Sequence, residues 1–268
     1  MTARKAPMRR LDWAELPAAV HDWVTARLRC DVVGATTAVG GFSPGAACVL
    51  HTAAGTSWFV KATATSLNET SANLHRRESL VLRMLAGDPA VPMLLDTFDD
   101  GNWVALLMAD AEGSMPGLPW RSTDANEVLA ALAMFHRRST PSPVADVPTV
   151  QELMGNALRG WHRLAAEPVL DPGAELDDWS LRHLDRLAEL EAKWAVAATG
   201  DTLLHADLRS DNVFLCRPGV LFVDWPWACV GAGWFDVVAL APSVVADGGP
   251  DPEWLLDRYP PAATADPD

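Results

Sequence analysis

Long apolar runs are missing from this chain of 268 residues. No stretch approaches the ~18 uncharged apolar residues that cross a bilayer as a helix, so no membrane span is expected. The start, Met1 to Arg10, is basic, and the next segment, Leu11 to Arg29, carries Asp12, Glu15, Asp22 and Arg27 instead of an apolar core. No signal peptide is expected from that pattern. Cysteine is scarce, and Cys30, Cys48, Cys216 and Cys229 form no C-x-x-C pair or zinc spacing. Four reduced, mostly buried thiols are the default, and the expected compartment is the cytoplasm. Positive charge is also short: 21 Lys and Arg stand against 35 Asp and Glu, for a formal net charge of -14. Such a field repels nucleic acid and anionic membranes, because phosphate contacts need clustered cations. It does not repel a polycationic small molecule. Tyrosine occurs once and tryptophan twelve times, a compositional habit to which no mechanism attaches.

What is present suffices for a sizeable core, since 49% of the residues are hydrophobic. The length suits one large domain or two small ones. Leu11 to Arg29 reads as an opening helix. Three strands then fit Val32 to Val39, Ala46 to Thr52 and Ser57 to Thr63, separated by G-G-F-S-P-G and A-A-G-T turns. A helix from Asn68 to Ala86 stops at Gly87-Asp88-Pro89, and strands follow at Pro92 to Phe98 and Trp103 to Ala109. Beyond Gly113 the pattern turns helical: Asp124 to Arg137, Thr149 to Leu164, Glu175 to Ala198 and Trp234 to Val245. Short strands interrupt it at Thr202 to Leu204, Val213 to Leu215 and Val220 to Val223. The expected organisation is a small mixed-sheet domain over 1–109, a hinge at 110–119 and a larger, mainly helical domain over 120–259. The Pro- and Ala-rich tail, 260–268, is expected to be disordered or a broken-off linker.

The strongest chemical signal is His205-Ala-Asp207-Leu-Arg-Ser-Asp-Asn212, followed by the apolar run Val213 to Leu215 and then Leu221-Phe-Val-Asp224. Two acids and an amide stand at the ends of short apolar strands. Phosphoryl transfer needs such a set: one carboxylate to accept the proton of the attacking hydroxyl, a second to hold Mg²⁺ against the phosphates, and a neutral oxygen ligand. In the first half, alternation puts Lys61 on the face opposite Trp58 and Val60. In the helix that follows, Glu78 lies inside a stripe made by Leu74, Val81, Leu82 and Leu85. A carboxylate there is costly unless paired, and Lys61 is its natural partner. The loop Gly40 to Gly45 lies between two strands and could fold over phosphates with its amides inward.

The spacing H-x-D-x-x-x-x-N resembles the catalytic loop of the protein-kinase-like superfamily. With H-A-D-L-R-S-D-N and V-D-W, the chain is more similar to the aminoglycoside phosphotransferase / choline kinase family. The resemblance implies an α+β, two-lobed protein-kinase-like fold, with a small antiparallel sheet lobe bearing one helix and a larger, mainly helical lobe. It implies Asp207 as base, Asn212 and Asp224 as metal ligands, and His205 and Asp236 as supports of the catalytic loop. Lys61 with Glu78 would hold the phosphates of ATP or GTP, bound with Mg²⁺. G-F-S-P at Gly41 to Pro44 is near the phosphate loop of aminoglycoside 3'-phosphotransferases, which brings Gly41 and Ser43 to the phosphates. Leu106-Leu-Met-Ala-Asp-Ala-Glu-Gly113 resembles the family's interdomain segment. On that match Met108 borders the adenine pocket, and the Ala109 carbonyl and Ala111 amide bond the base. The family usually continues into further C-terminal helices, so part of the acceptor site is expected to be missing from this chain.

A small acceptor is favoured over a protein. Asp236 follows Asp224 after only twelve positions, too few for a peptide-docking activation segment. His205 is followed by Ala206, not by an Arg that would read a phosphorylated loop, and Arg209 stands where protein kinases have Lys. Acids between Gln151 and Glu191 would suit a polycationic, aminoglycoside-like acceptor if they lined the cleft. Choline, homoserine or a sugar amine would use the same apparatus. A non-catalytic nucleotide-binding regulator would be marked by loss of the base or a metal ligand, and Asp207, Asn212, Asp224 and Lys61 are all present. The sequence leaves the oligomeric state open.

Overall fold

The computed structural model describes residues 10–38, 44–166 and 176–264, so the expected phosphate contacts Gly41 and Ser43 lie outside the described residues. A single 3-10 turn at Trp13–Glu15 precedes helix α1, Ala18–Leu28. The opening helix was expected from Leu11. It starts seven residues later because Pro17 takes the N-cap, where its extended backbone separates turn from helix.

Strands β1 (Val32–Thr37), β2 (Ala46–Thr52), β3 (Ser57–Ala64), β4 (Leu94–Asp99) and β5 (Trp103–Ala109) form one antiparallel sheet in the order β1-β2-β3-β5-β4. Helix α2, Glu69–Met84, crosses from β3 to β4. Its start is set by Asn68, whose side chain accepts the Ser71 N–H at 2.8 Å. Alternation sorts the sheet's two faces. Val60, Ala62, Ala105 and Leu107 pack with Val20 and Val24 of α1, while Val104, Leu106 and Met108 pack with Ala72, Val81 and Leu82 of α2.

The second half is mainly helical: α3 (Ser122–Arg138), α4 (Val150–Met154), α5 (Gly160–Ala166), α6 (Asp178–Arg182), α7 (Leu184–Ala197), α8 (Phe235–Ala246) and α9 (Pro252–Asp257). Two small sheets sit among them. One pairs β7 (Thr202–Leu204) with β10 (Cys229–Gly231). The other orders β6 (Gly113–Ser114), β8 (Val213–Cys216) and β9 (Gly219–Phe222) as β6-β8-β9. The α+β class expected from the sequence is the one observed.

Several boundaries differ from the sequence pattern. The helix expected over Thr149 to Leu164 is two, α4 and α5, with Gly155 and Gly160 between and at the break. The helix expected from Glu175 is broken at His183, where α6 ends and α7 begins. Strands β6 and β10 and helix α9 were not expected; β6 and β10 have two and three residues, too few to establish a period. The tail expected to lack order contains a 3-10 helix at Pro260–Thr264, and Ala262 packs against the main core. Residues 265–268 lie outside the described residues.

One core runs through both halves. Phe135 of α3 is fully buried, its ring centroid 5.1 Å from that of Trp225, in the cluster that also holds Leu82 and Leu106 from the first half. Phe135→Ala is therefore expected to lower unfolding free energy by about 3–5 kcal/mol, read from urea melts. A loss below roughly 1 kcal/mol would mean that the core does not close through this contact.

Candidate active site

The site begins with Lys61 on β3. Its Nζ donates to Glu78 Oε1 at 2.8 Å and Oε2 at 3.0 Å, and to Asp224 Oδ1 at 2.6 Å. Strand alternation aims Lys61 at α2, and helical spacing aims Glu78 back at it from among Ala72, Val81 and Leu82. Burial alone would favour the neutral amine. The two carboxylates outweigh it and hold the ammonium above its ordinary range. Glu78 also accepts the Trp225 backbone N–H at 3.3 Å, which ties α2 to the loop carrying Asp224. Burial raises the Glu78 carboxyl against the pull of Lys61. Asp224 is much more exposed; burial raises its carboxyl too, but Lys61 outweighs it and holds the group below its usual range.

Asp207 stands at the start of the loop after β7, on the wall of a cleft of about 620 Å³ that also contains Lys61, His75, Asp224 and Trp227. Burial pushes its carboxyl up, more than the opposing charge of Arg209 pulls it down. That change strengthens a proton acceptor. Arg209 is 3.6 Å from Asp207 and forks onto both oxygens of Asp211 at 3.0 and 3.1 Å. Asn212 is not on the cleft wall. It is buried, and its Nδ2 donates to the Asp207 carbonyl at 2.8 Å, leaving Oδ1 unused among the described residues. The Val223 N–H donates to the Asn212 carbonyl at 3.0 Å, so Asn212 lies beside the chain leading into Asp224.

The loop is braced from below. Asp236, in the first turn of α8, is fully buried and accepts the backbone N–H groups of His205 and Ala206, each at 2.8 Å. Ala206 adopts a left-handed backbone, φ +62°, which turns these successive N–H groups onto one carboxylate. His136 Nε2–H donates to the same carboxylate at 3.0 Å, and its Nδ1 is hydrogen bonded to the Tyr259 hydroxyl. Burial would raise the Asp236 carboxyl, but these donors hold it below its ordinary range. His205 accepts the Asp207 N–H on Nδ1 at 3.3 Å and donates from Nε2 to the Val223 carbonyl at 2.8 Å. That single imidazole clamps the loop bearing Asp207 to the strand end before Asp224.

The structure thus brings Lys61, Glu78, Asp207, Asn212, Asp224, His205 and Asp236 together. Met108 is buried in the main core and Ala109 is half-exposed at the end of β5, with Ala111 half-exposed on the segment after it; none of the three is in the lining that Lys61 and Asp207 share. The described acids between Gln151 and Glu191, expected to suit a cationic acceptor, do not line the cleft that holds Asp207. Glu152 and Asp177 cap α4 and α6, and Glu191 accepts the Trp161 and His162 N–H groups at the start of α5. Glu189 pairs with Arg186, and Asp178 and Asp185 face solvent. Glu167, Asp171 and Glu175 lie outside the described residues. Sequence reasoning missed Arg10, His75, Trp227 and Tyr259. A single Arg, His, Trp or Tyr with no periodic partner carries no local signal. Burial and Lys61 drive His75 down to about 3, so its imidazole is neutral in the cleft.

The profile of the phosphotransferase enzyme family matches residues 37–259. No curated protein sequence matches the chain. Among solved structures, it is similar to macrolide 2'-phosphotransferase MphH from Brachybacterium faecium, at 18% identity, a TM-score of 0.58 and coverage of 94% of this chain and 84% of that one. An aminoglycoside phosphotransferase from Streptomyces rimosus, in complex with ADP and streptomycin, aligns at 16% identity and a TM-score of 0.55, over 94% of each chain. The GDP complex of an aminoglycoside 2'-phosphotransferase aligns at 16% identity and a TM-score of 0.60, over 91% of this chain and 87% of that one.

The Asp236 brace makes a pH prediction. A carboxyl held low in the fold contributes stability that is present above its unfolded value, near pH 4, and is lost as pH falls through the folded value. Asp236→Ala is expected to cost about 3–5 kcal/mol at neutral pH, as for a buried group whose partners lose their counterpart. It should also flatten the fall in stability below pH 4. Thermal melts of both proteins between pH 3 and 7 test this, and parallel curves would remove Asp236 from the acid transition.

Proposed function

The chain belongs to the phosphotransferase enzyme family, and from that premise we propose that it transfers the γ-phosphoryl group of ATP or GTP to a hydroxyl of a small molecule. One observation carries the reading: Asp207, with its carboxyl pushed up by burial, shares one cleft with the Lys61–Glu78–Asp224 cluster. In that arrangement Asp207 accepts the proton of the acceptor hydroxyl as the phosphoryl group moves. Lys61, steadied by Glu78, exchanges its contact with Asp224 for the nucleotide's phosphates. Resemblance to the family's interdomain segment supports Met108, Ala109 and Ala111 beside the base of the nucleotide; Gly41 and Ser43, outside the described residues, are candidates for its phosphates on their motif alone. The rate comes mainly from positioning and charge, since the protein has little covalent chemistry to do.

The residues present fit Mg²⁺. The unused Asn212 Oδ1 and the Asp224 carboxylate are hard oxygen donors, and Mg²⁺ typically takes one or two such protein ligands, with waters and phosphate oxygens completing its shell. Bound there, the ion would offset charge on the phosphates. His205 and Asp236 fix the loop between base and metal ligands, so that Asp207 need not reorganise when substrate arrives.

The acceptor is small because the connection from Asp224 to Asp236 is taken up by β10 and a short turn into α8, with no segment to dock a peptide. Aminoglycoside-like compounds are candidates, as are choline, homoserine and sugar amines. Since the described acids between Gln151 and Glu191 cap helices, pair with Arg186 or face solvent, they give no support to positive charge on the acceptor. Among the described residues no helix is long and apolar enough to cross a membrane.

The test is nucleoside diphosphate release with Mg²⁺ against aminoglycosides, macrolides, peptide antibiotics, choline, homoserine and sugar amines. Asp207→Asn is expected to lower turnover by about 10²–10⁴-fold while sparing nucleotide binding, and Asp224→Ala to remove metal-dependent binding as well. Full turnover by Asp207→Asn would reject Asp207 as the base.

A further inference from the structure

The cleft wall carries three cations: Lys61, Arg209 and Arg10. Lys61 is held by two carboxylates, and Arg209 forks onto Asp211. Among the described residues the Arg10 guanidinium forms no hydrogen bond or ion pair, although it is half-buried. It lines the cleft together with Pro44, Ala46, Ala47, Lys61 and Asp224.

The backbone beside Arg10 is held in place. Leu11 donates its N–H to the Gly45 carbonyl at 3.0 Å and bridges Ala46 in parallel, an added partner at the start of β2. The Thr37 hydroxyl donates to Asp12 Oδ1 at 2.6 Å, and the Leu11 side chain packs with the core between the sheet and α1. Gly45 itself is tightly placed: its φ is +120°, and a Cβ there would meet the Ala62 carbonyl at 2.3 Å. Close packing of Gly45 on β3 thus sets the carbonyl that holds Leu11, which in turn directs Arg10 to the cleft.

A half-buried guanidinium that faces a cleft with no hydrogen-bonded counter-ion is stabilised by an incoming anion, and its planar fork matches phosphate oxygens. We propose that Arg10, carried on the segment ahead of the sheet, binds the polyphosphate of the nucleotide from the side of the cleft formed by Pro44 to Ala47. This rests on the phosphotransferase reading above and adds to it a residue outside the stretch that the family profile matches. Nearby Asp224 partly balances the guanidinium; were Asp224 to hold a metal ion, that balance would pass to the phosphates.

Calorimetric titration of the full chain, Arg10→Gln and Arg10→Lys with Mg·ATP, Mg·GTP, adenosine, guanosine and inorganic phosphate tests the assignment, with melting temperatures taken alongside. Loss of a charge-assisted contact to phosphate should weaken the preferred triphosphate by on the order of ten- to a hundredfold in Arg10→Gln. Nucleoside binding should not change, and Arg10→Lys should recover part of the loss. Equal triphosphate affinity in Arg10→Gln and the unaltered chain would overturn the inference and leave the phosphotransferase reading standing. A parallel weakening of nucleoside and triphosphate, with a lower melting temperature, would make Arg10 structural and also overturn it. Arg10-dependent binding confined to inorganic phosphate would reject the nucleotide as its ligand. An unaltered chain that binds no triphosphate would overturn the reading beneath, and the inference with it.

Discussion

One ammonium between two carboxylates organises this protein. Lys61 reaches Glu78 across 17 positions of sequence and Asp224 across 163, so a single side chain joins the sheet, the helix behind it and the loop after β9. Removing Lys61 would leave Glu78 as an uncompensated charge among Ala72, Val81 and Leu82, a defect that costs about 3–5 kcal/mol in buried pairs. The cluster can stay charged because each member is matched. Glu78 takes both Lys61 and the Trp225 N–H, and Asp224 stays partly in water. Trp225 then carries the constraint into the core, where its ring meets Phe135 and His205 and its indole N–H donates to the Phe222 carbonyl at 2.7 Å.

A second charged centre plays the same part beneath the loop that bears Asp207. Asp236 gathers two backbone N–H groups and His136, and Tyr259 closes the chain of contacts from the far end of the second half. Ala206 and Asp224 both hold left-handed backbones, φ +62° and +71°, each costing roughly 1–3 kcal/mol for a non-glycine residue. Asp236 and the Lys61 contact supply the offset at these two points. Strain placed beside Asp207 and at Asp224 itself, and compensated from buried neighbours, gives a loop set in shape before any ligand arrives.

How much of this was legible follows from how local each signal is. Strand β5 ran over the residues expected, Trp103 to Ala109, because alternation and flanking turns suffice to define it. The Lys61–Glu78 pair could be read because each residue violates the pattern of its own element, a cation in an alternating strand and an acid in an apolar stripe. The constellation from His205 to Asp224 was visible as spacing. Helix breaks at His183 and near Gly155 were not, since the apolar period continues across them. The His136–Tyr259 contact and the place of Arg10 depend on chain segments far apart in sequence. Arg10 reaches the cleft only because Leu11 pairs beside β2, and nothing within residues 1–20 announces that partner.

The charge of the cleft sets the terms on which a nucleotide can enter. Lys61 with Glu78 and Asp224 is net negative, and Asp207 adds to it whenever it is ionised. A triphosphate approaching a chain of net charge -14 therefore meets no attraction from that cluster alone. Under the proposed function, affinity has to come from groups outside the matched set. A divalent ion held by Asn212 and Asp224 would be one such source, because it would offset the Asp224 charge and leave Lys61 to the phosphates. Arg10 is another. Arg209 contributes less, since Asp211 already balances it. The Lys61 cluster is then best understood as fixing positions, with attraction supplied by the ion and the unpaired guanidinium. That division would let the site hold its shape without ligand and still bind an anion within an acidic protein.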